Sequence, residues 1–177
     1  MNGSLYLTLE DSASSFNDIE SLTLTLSKIG LIDQKYQDNY LCGEKFAQLI
    51  VFMGCSPHLV FEPPADGNTS FCHIKIHHHD QVQLLTGQQT APPRCPNCRK
   101  RITDWQNLTQ SPNEKWQCAD CNTTSTVSQL DWRQSGGAGK IFIEIKNIFP
   151  GEAVPVDRLL GELKTLSNEN WRYFYLV

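Results

Sequence analysis

The pattern of apolar and polar residues predicts strands at both ends of the chain. Residues 4–9 (SLYLTL) place three leucines on one side, and residues 172–177 (RYFYLV) form a mostly apolar closing segment. Alternation predicts a strand because successive side chains of an extended chain point to opposite faces. The apolar patterns of four further segments also predict strands, at residues 59–62, 71–77, 82–85 and 140–147.

Three other segments repeat apolar residues every three or four positions, which predicts helices. Residues 11–30 have such a stripe, with Gly30 able to end the helix, and residues 44–53 have a second one. A third helix is predicted to begin at Pro155, because proline is favoured in the first turn of a helix. Its apolar stripe consists of Val156, Leu159, Leu160, Leu163 and Leu166.

The order of these elements predicts an α+β fold, a mixed sheet backed by two or three helices. The composition changes between residues 90 and 127, where aliphatic residues are few and four cysteines occur in pairs. We therefore expect one α+β domain formed by residues 1–89 and 128–177, with residues 90–127 inserted into it. The glycine-rich run at residues 135–139 is expected to be a flexible connection.

The four paired cysteines are the strongest chemical signal in the sequence. Cys95 and Cys98 form the first pair, and Cys118 and Cys121 form the second, in the spacing CxxC-x19-CxxC. Two residues between cysteines allow both thiolates to face one ion, and two such pairs complete a tetrahedral site for Zn²⁺. We therefore predict one zinc ion and a hairpin between the two pairs. A rubredoxin-like iron site is the alternative, since iron also accepts four thiolates.

Residues 94–125 resemble the zinc-ribbon superfamily. The resemblance rests on the Cys-Pro-x-Cys opening and on Trp116, two residues before the second cysteine pair. It implies a zinc-tied ribbon fold that occurs in transcription factors, RNA polymerase subunits, ribosomal proteins and adaptors, so it selects no single function. Ribbons typically have glycine after the second cysteine of each pair, whereas this chain has Arg99 and Asn122. The segments IFPGEAVP and WRYFYLV are also similar to small bacterial proteins with a ribbon insert, a resemblance that implies no activity.

The predicted zinc is structural, because four cysteine ligands close the coordination shell and leave no position for water or substrate. The sequence also lacks the GxSxG and HExxH motifs and the dinucleotide-binding fingerprint. We therefore expect the protein not to be an enzyme.

A basic edge next to the first cysteine pair indicates a contact surface. It consists of Arg94, Arg99, Lys100 and Arg101, with Trp105 nearby. Basic and aromatic side chains together can bind single-stranded nucleic acid through phosphate contacts and base stacking. However, residues 90–127 carry five Lys/Arg against three Asp/Glu, a net +2, and a zinc tetrathiolate would add about −2. The basic side chains are then partly counter-charges for the thiolates.

The charge of the whole chain favours a protein partner over nucleic acid. The net charge is −4, so the residues outside 90–127 carry −4 − (+2) = −6, a surface that repels phosphate. We expect a docking or adaptor protein. The alternative is a nucleic-acid-binding or transcription- or translation-associated factor that uses the basic edge. No membrane partner is expected, because no apolar run approaches the length of a spanning helix.

The cysteine count predicts a cytoplasmic protein. Seven is an odd number, four of the cysteines are paired for a metal, and no secretory signal pattern is visible, all of which fit a reducing compartment. The remaining three, Cys42, Cys55 and Cys72, have no partner spacing, so we expect them to be small buried apolar residues.

Alternate histidines give a weaker, second metal candidate. His73, His77 and His79 share one face if the strand at residues 71–77 continues, and Asp80 follows them. Residues two apart on a strand are separated by roughly 7 Å, which is too far for two imidazoles to meet one ion easily. We favour a polar, solvent-facing strand surface, with a metalloenzyme as the minority hypothesis.

Overall fold

The structure, a computed structural model, describes residues 3–53, 59–65, 67–109, 111–149 and 151–177. Strands outnumber helices in these ranges. In chain order they are β1 (Gly3–Leu9), α1 (Ile19–Lys28), β2 (Ile32–Tyr36), β3 (Asn39–Cys42), α2 (Phe46–Leu49), β4 (Ile50–Phe52), β5 (His73–Thr86), β6 (Lys115–Gln117), β7 (Thr124–Thr126), β8 (Gly136–Ile148), β9 (Ala153–Pro155), α3 (Asp157–Ser167) and β10 (Trp171–Leu176).

Six of the strands form the main sheet, in the order β10-β1-β8-β5-β3-β2. All five pairings in this sheet are antiparallel, so the mixed sheet predicted from the sequence is wrong while the α+β class holds. The reason is the position of β1, which lies between β8 and β10. These two strands run in the same direction but do not pair with each other, because each pairs with β1 instead.

The main core lies on one face of this sheet, under α1 and α3. Leucines of β1 and isoleucines of β8 are fully buried there, and leucines of both helices pack against them. These side chains are Leu5, Leu7, Leu9, Leu22, Leu26, Ile141, Ile143, Ile145, Leu159 and Leu163. The strands predicted at residues 4–9 and 172–177 are confirmed as β1 and β10. The alternation in β1 reflects a sheet with one face on the core, whereas β10 buries Trp171 on that face and Phe174 on the opposite face.

Two predicted helices are shorter than their apolar patterns indicated. Helix α1 begins only at Ile19, where Oδ1 of Asp18 accepts a hydrogen bond from the backbone N–H of Ser21 at 2.9 Å. The second prediction, residues 44–53, contains one helical turn, α2, and then strand β4, which pairs with β9. Phe46, Leu49 and Ile50 are buried in this arrangement, so their spacing did not distinguish a long helix from a turn followed by a strand.

The central strand predictions were partly correct. The strands predicted at residues 71–77 and 82–85 are parts of one long strand, β5, which begins at His73. Its pairing with β8 shifts register between His78 and Gln83. Residues 59–62 form no strand, although the backbone N–H of Cys72 donates to the carbonyl of Val60. The β2–β3 hairpin at the edge of the sheet was not predicted.

The pairing of β1 with β8 ends at Leu7 and Ile143. The earlier residues of β8, from Gly136 onward, lie against side chains of β1 and β10. Oγ1 of Thr8 donates to the carbonyl of Ile141 at 2.7 Å, and Nη2 of Arg172 donates to the carbonyl of Ala138 at 3.4 Å. The pairing of β5 with β8 therefore extends beyond the pairing of β8 with β1, and this extension covers side chains of β1 and β10.

The glycines of this segment are required by close packing, which corrects the expectation of a flexible connection at residues 135–139. Gly137 and Gly139 are buried residues of β8. A Cβ on Gly137 would overlap the ring of Phe174, and one on Gly139 would overlap Oγ1 of Thr8. Glycine here permits close approach of two segments and does not supply flexibility.

We predict that Gly137→Ala destabilises the protein by about 1–3 kcal/mol, because the buried Phe174 ring would have to move to accept the methyl group. Gly161→Ala is the matched control. Gly161 lies inside α3 with open space around it, so alanine should stabilise the protein by up to about 1 kcal/mol. Denaturant unfolding of both variants measures the free energies, and an unchanged stability of Gly137→Ala would contradict the packing argument.

Candidate metal centre

The paired cysteines lie in the segment that connects β5 to β8, residues 87–135, which we call the cysteine module. Thr86 pairs with Gly136, so the module leaves and rejoins the sheet at one place. It has its own hydrophobic cluster of Trp105, Val127, Leu130 and Trp132. The indole N–H of Trp132 donates to the carbonyl of Val127 at 2.9 Å, and the rings of Trp105 and Trp132 meet edge to face at 5.6 Å.

Both cysteine pairs adopt the same backbone turn. In the first pair, the N–H of Arg99 donates to the carbonyl of Cys95 at 3.0 Å, and the N–H of Cys95 donates to the carbonyl of Lys100 at 2.9 Å. The second pair repeats both bonds, from Asn122 to Cys118 and from Cys118 to Thr123, each at 2.9 Å. Such repetition is the geometry expected of two metal-binding knuckles.

Each turn closes a short antiparallel pairing. Arg94 pairs with Arg101 around the first turn, and β6 pairs with β7 around the second. The hairpin predicted between the two cysteine pairs is therefore misplaced. That intervening segment contains a 3₁₀ turn, Trp105–Leu108, whose tryptophan enters the module's core.

The residues that replace the typical ribbon glycines adopt the left-handed conformation that glycine would adopt. Arg99 has φ of 64° and Asn122 has φ of 59°. Asparagine tolerates this region, whereas for arginine it costs on the order of 1 kcal/mol. Arg99 also forms an ion pair with Asp131 at 3.2 Å, which links the first turn to the end of the module.

The four sulfur atoms converge on one point. Sγ of Cys95 lies 3.7 Å from Sγ of Cys121, Sγ of Cys98 lies 3.6 Å from Sγ of Cys118, and all four are within 4.8 Å of one another. Four sulfurs around an ion with metal–sulfur bonds of about 2.3 Å would be separated by about 3.8 Å. The cluster is thus compatible with a tetrahedral metal ion. Among the described residues it is the one group of three or more His, Cys, Asp or Glu side chains with this convergence.

Two thiols of this cluster have pKa values shifted in opposite directions. Hydrogen bonds from the hydroxyl and then the backbone of Thr123 lower the pKa of Cys121 to about 5. For Cys98, the backbone N–H of Lys100 lowers the pKa, but desolvation and the neighbouring thiols together raise it to about 12. A metal cation would replace the remaining protons, so binding is expected to be tighter at higher pH.

The basic edge is partly neutralised by carboxylates of the module itself. Besides the Arg99–Asp131 pair, Nζ of Lys100 lies 3.2 Å from Oδ1 of Asp120. Trp105, predicted as a stacking residue, is only 8% exposed because its ring packs in the module's core. The edge therefore offers less free positive charge and aromatic surface than the sequence indicated.

A cleft of about 260 Å³ lies beside the second cysteine pair. Partly buried apolar side chains, Ile102, Leu108 and Trp116, contribute to its lining. Its charged lining residues have both signs: Lys100, Arg101, Asp104 and Asp120. Arg101 is exposed at this cleft, and no ion pair to it is formed by the residues that the structure describes.

The three candidate histidines do not converge on one point. Nδ1 of the buried His73 lies 2.8 Å from the carbonyl oxygen of Phe71. Nε2 of His77 lies 2.7 Å from Oε2 of Glu144, and the rings of His77 and His79 are parallel with centroids 6.4 Å apart. Each ring thus has a different neighbour, and their nitrogens form no three-ligand group.

His77 belongs instead to a buried polar network around Glu144, which the sequence did not single out. Besides His77, Glu144 accepts hydrogen bonds from the hydroxyls of Tyr6 at 2.6 Å and Ser4 at 3.0 Å. Burial would raise the pKa of Glu144, but the bonds from His77 and Tyr6 and the charge of Lys146 lower it to about 2. The network joins β1, β5 and β8 through one carboxylate.

Glu144 should make stability depend on pH. Its folded pKa of about 2 lies below the ordinary 4.5, so its contribution of about 3 kcal/mol is complete above pH 4.5 and is lost as pH falls through 2. We predict that Glu144→Gln is less stable than the wild type at neutral pH and that this difference shrinks over that range. Denaturant unfolding at several pH values measures it. The control Glu20→Gln, an exposed site on α1, should show no such trend, and a constant difference for Glu144→Gln would contradict the assignment.

Two cysteines expected to be isolated are in fact neighbours. Sγ of Cys42 lies 3.6 Å from Sγ of Cys72, on adjacent segments of the main sheet. The two cysteines are 30 positions apart in the sequence. Predicting their contact would have required β3 and its register with β5. Cys55 lies outside the described residues.

Comparisons with known proteins gave no match, whether to protein-family models, to curated proteins or to solved structures. The zinc-ribbon resemblance therefore rests on the chain's own cysteines. In the part of the chain that the structure describes, none of the helices has the length and apolar character needed to cross a membrane.

Proposed function

We propose that this is a non-enzymatic zinc-binding protein whose cysteine module is a docking site for another protein. The observation that carries the proposal is the convergence of four cysteine sulfurs, within 4.8 Å of one another, at two matching backbone turns. The α+β domain then serves as the base from which the module projects, and the metal holds the module's shape.

A structural role for the metal follows from its ligands. Four thiolates complete a tetrahedral shell, so neither water nor substrate has a coordination position. The module's own core is small, with four buried hydrophobic side chains and a few partly buried ones. Such a core supplies little folding energy, and tetrathiolate coordination of zinc provides energy of the required size.

We predict one zinc ion per chain in the purified full-length protein, measured by elemental analysis. The double variant Cys95→Ser/Cys118→Ser removes a ligand from each turn and should abolish zinc binding, whereas the control Cys55→Ser should keep it. The protein should also be colourless, because iron tetrathiolate sites absorb visible light. Absence of zinc, zinc retained by the double variant, or bound iron would contradict the proposal.

The features of the basic edge favour a protein partner over nucleic acid. Asp131 and Asp120 already pair with Arg99 and Lys100, and the ring of Trp105 is buried. The cleft beside the second cysteine pair combines apolar side chains with charges of both signs, which suits a peptide segment better than a phosphate backbone. We propose that a partner places an apolar side chain in this cleft and a carboxylate near Arg101.

A capture experiment with charge-reversed variants tests this docking surface. Tagged full-length protein is used to capture partners from its own cells, with and without nuclease. A protein captured specifically should remain after nuclease treatment and should be lost with Arg101→Glu. It should be retained with Lys28→Glu, which reverses an exposed charge on α1, away from the module.

The nucleic-acid alternative gives a different result. Partners would be released by nuclease, and the purified protein would bind single-stranded RNA or DNA directly. If the four cations of the edge each contacted phosphate, the log–log dependence of affinity on salt would have a slope of about −3. A complex of this kind, weakened by replacing Arg99, Lys100 and Arg101 with alanine, would contradict protein docking.

A further inference from the structure

Cys42 and Cys72 face each other on neighbouring segments of the main sheet, far in sequence from the metal centre. Tyr40 pairs with Ile74 and Leu41 with His73, so the next position in this antiparallel register places Cys42 opposite Cys72. Their sulfur atoms are 3.6 Å apart, and the thiol of Cys42 donates to the carbonyl of Cys72 at 3.3 Å. The two thiols are thus in contact without a bond.

The β3–β5 register, continued by one position, brings the two backbones to the spacing that a disulfide needs. Directly opposed residues of an antiparallel pair have Cα atoms about 4.5–5.5 Å apart. This range lies within the roughly 4.4–6.8 Å found for disulfide-bonded cysteines. Rotation of the side chains is therefore sufficient to bring the sulfurs from contact to bonding distance.

The two thiols differ in their access to solvent, which fixes the order of reaction. Cys72 is completely buried, whereas Cys42 is half-buried and lines an open surface cleft of about 480 Å³. Asp33 and Glu44 also line this cleft, and because Nζ of Lys45 lies 3.8 Å from Glu44, Asp33 is left to give the cleft its negative charge. A small reagent can reach Cys42 directly but can reach Cys72 only through Cys42, and a cationic reagent is favoured.

We propose that Cys42 and Cys72 form a redox-active thiol pair, which a cationic low-molecular-weight disulfide oxidises to a cross-strand disulfide. In the first step the sulfur of Cys42 attacks the reagent RSSR, its S–S bond breaks, and one RSH leaves with the proton of Cys42. In the second step the sulfur of Cys72 attacks Sγ of Cys42, and the bond between Cys42 and the reagent's sulfur breaks. The second RSH leaves with the proton of Cys72. The two cysteines are oxidised together, and the reagent is reduced to two thiols.

The environment of Cys42 makes this reaction slow, so oxidation requires sustained exposure to the disulfide reagent. The hydrogen bond to Cys72, with burial, raises the pKa of the Cys42 thiol, so little thiolate is present at neutral pH. Attack by Cys42 on a disulfide is therefore slow at neutral pH. Once formed, the bond joins β3 to the start of β5 and fixes the β2–β3 hairpin, the edge of the sheet, to its central strands.

The test treats the full-length, metal-loaded protein with cystamine, a small cationic disulfide, and measures its mass. We expect the protein to lose two hydrogens and to retain its zinc. Combined digestion before aspartate and after lysine should yield residues 38–45 linked to residues 66–75, which separates Cys55 from both cysteines of the pair. An unchanged mass, or a link between other cysteines, would overturn the proposal.

Single variants test the order of attack and exclude a role for the remaining free cysteine. Cys72→Ser should retain one half-cystamine on Cys42, because the second step is blocked, whereas Cys42→Ser should gain no such adduct at Cys72. Cys55→Ser should form the same cross-link as the wild type. Modification of Cys72 in the Cys42→Ser variant, or loss of the cross-link in Cys55→Ser, would contradict the assignment. Circular dichroism of each variant checks that it is folded.

Discussion

The antiparallel pairing of β5 with β8 is the interaction on which the rest of the structure depends. Its ten residue pairs span the centre of the main sheet. One end of the pairing holds the buried Glu144 between His77 and Tyr6, which ties β1 to both strands. The other end begins and ends the cysteine module, because Thr86 and Gly136 are its last pair. The sheet, the polar network and the candidate metal centre thus share one scaffold.

The proposed function follows from this attachment. The module leaves the sheet at one pair of strands, and two backbone hydrogen bonds, from Gln88 to Val177 and from Tyr175 to Gln134, also hold its base against the end of the chain. The rest of the module needs something other than the sheet to maintain its shape. Its core is small, and two carboxylates neutralise part of its basic edge. The sulfur atoms of Cys95, Cys98, Cys118 and Cys121 converge, and a metal ion bound there would supply the missing constraint, since it would fix both turns relative to each other. With the turns fixed in this way, the cleft beside the second turn would have the defined shape that the proposed docking requires.

The features that the sequence predicted correctly depend on local spacing. The cysteines converge because two residues between paired cysteines direct both sulfurs to one side. Strand β1 follows from alternation over one sheet face, and β10 follows from its apolar and aromatic composition. The features that it missed depend on distant contacts. The sequence around Gly137 indicates flexibility, and only its contact with Phe174 shows that close packing requires the glycine. The neighbour of Cys42 can be identified only when the register of β3 with β5 is known. Phe46, Leu49 and Ile50 are buried equally well by a helix or by a turn and strand, so the apolar pattern could not choose between them.

Hydrogen exchange of the full-length protein, with zinc bound and after its removal by a chelator, tests the central claim most directly. If metal coordination maintains the cysteine module on an independently stable sheet, chelation should remove amide protection at Cys95, Lys100, Cys118 and Thr126. The strands β1 and β8 should remain protected, because their burial does not depend on the metal. Loss of protection throughout the chain on zinc removal, or unchanged protection in the module, would contradict the account.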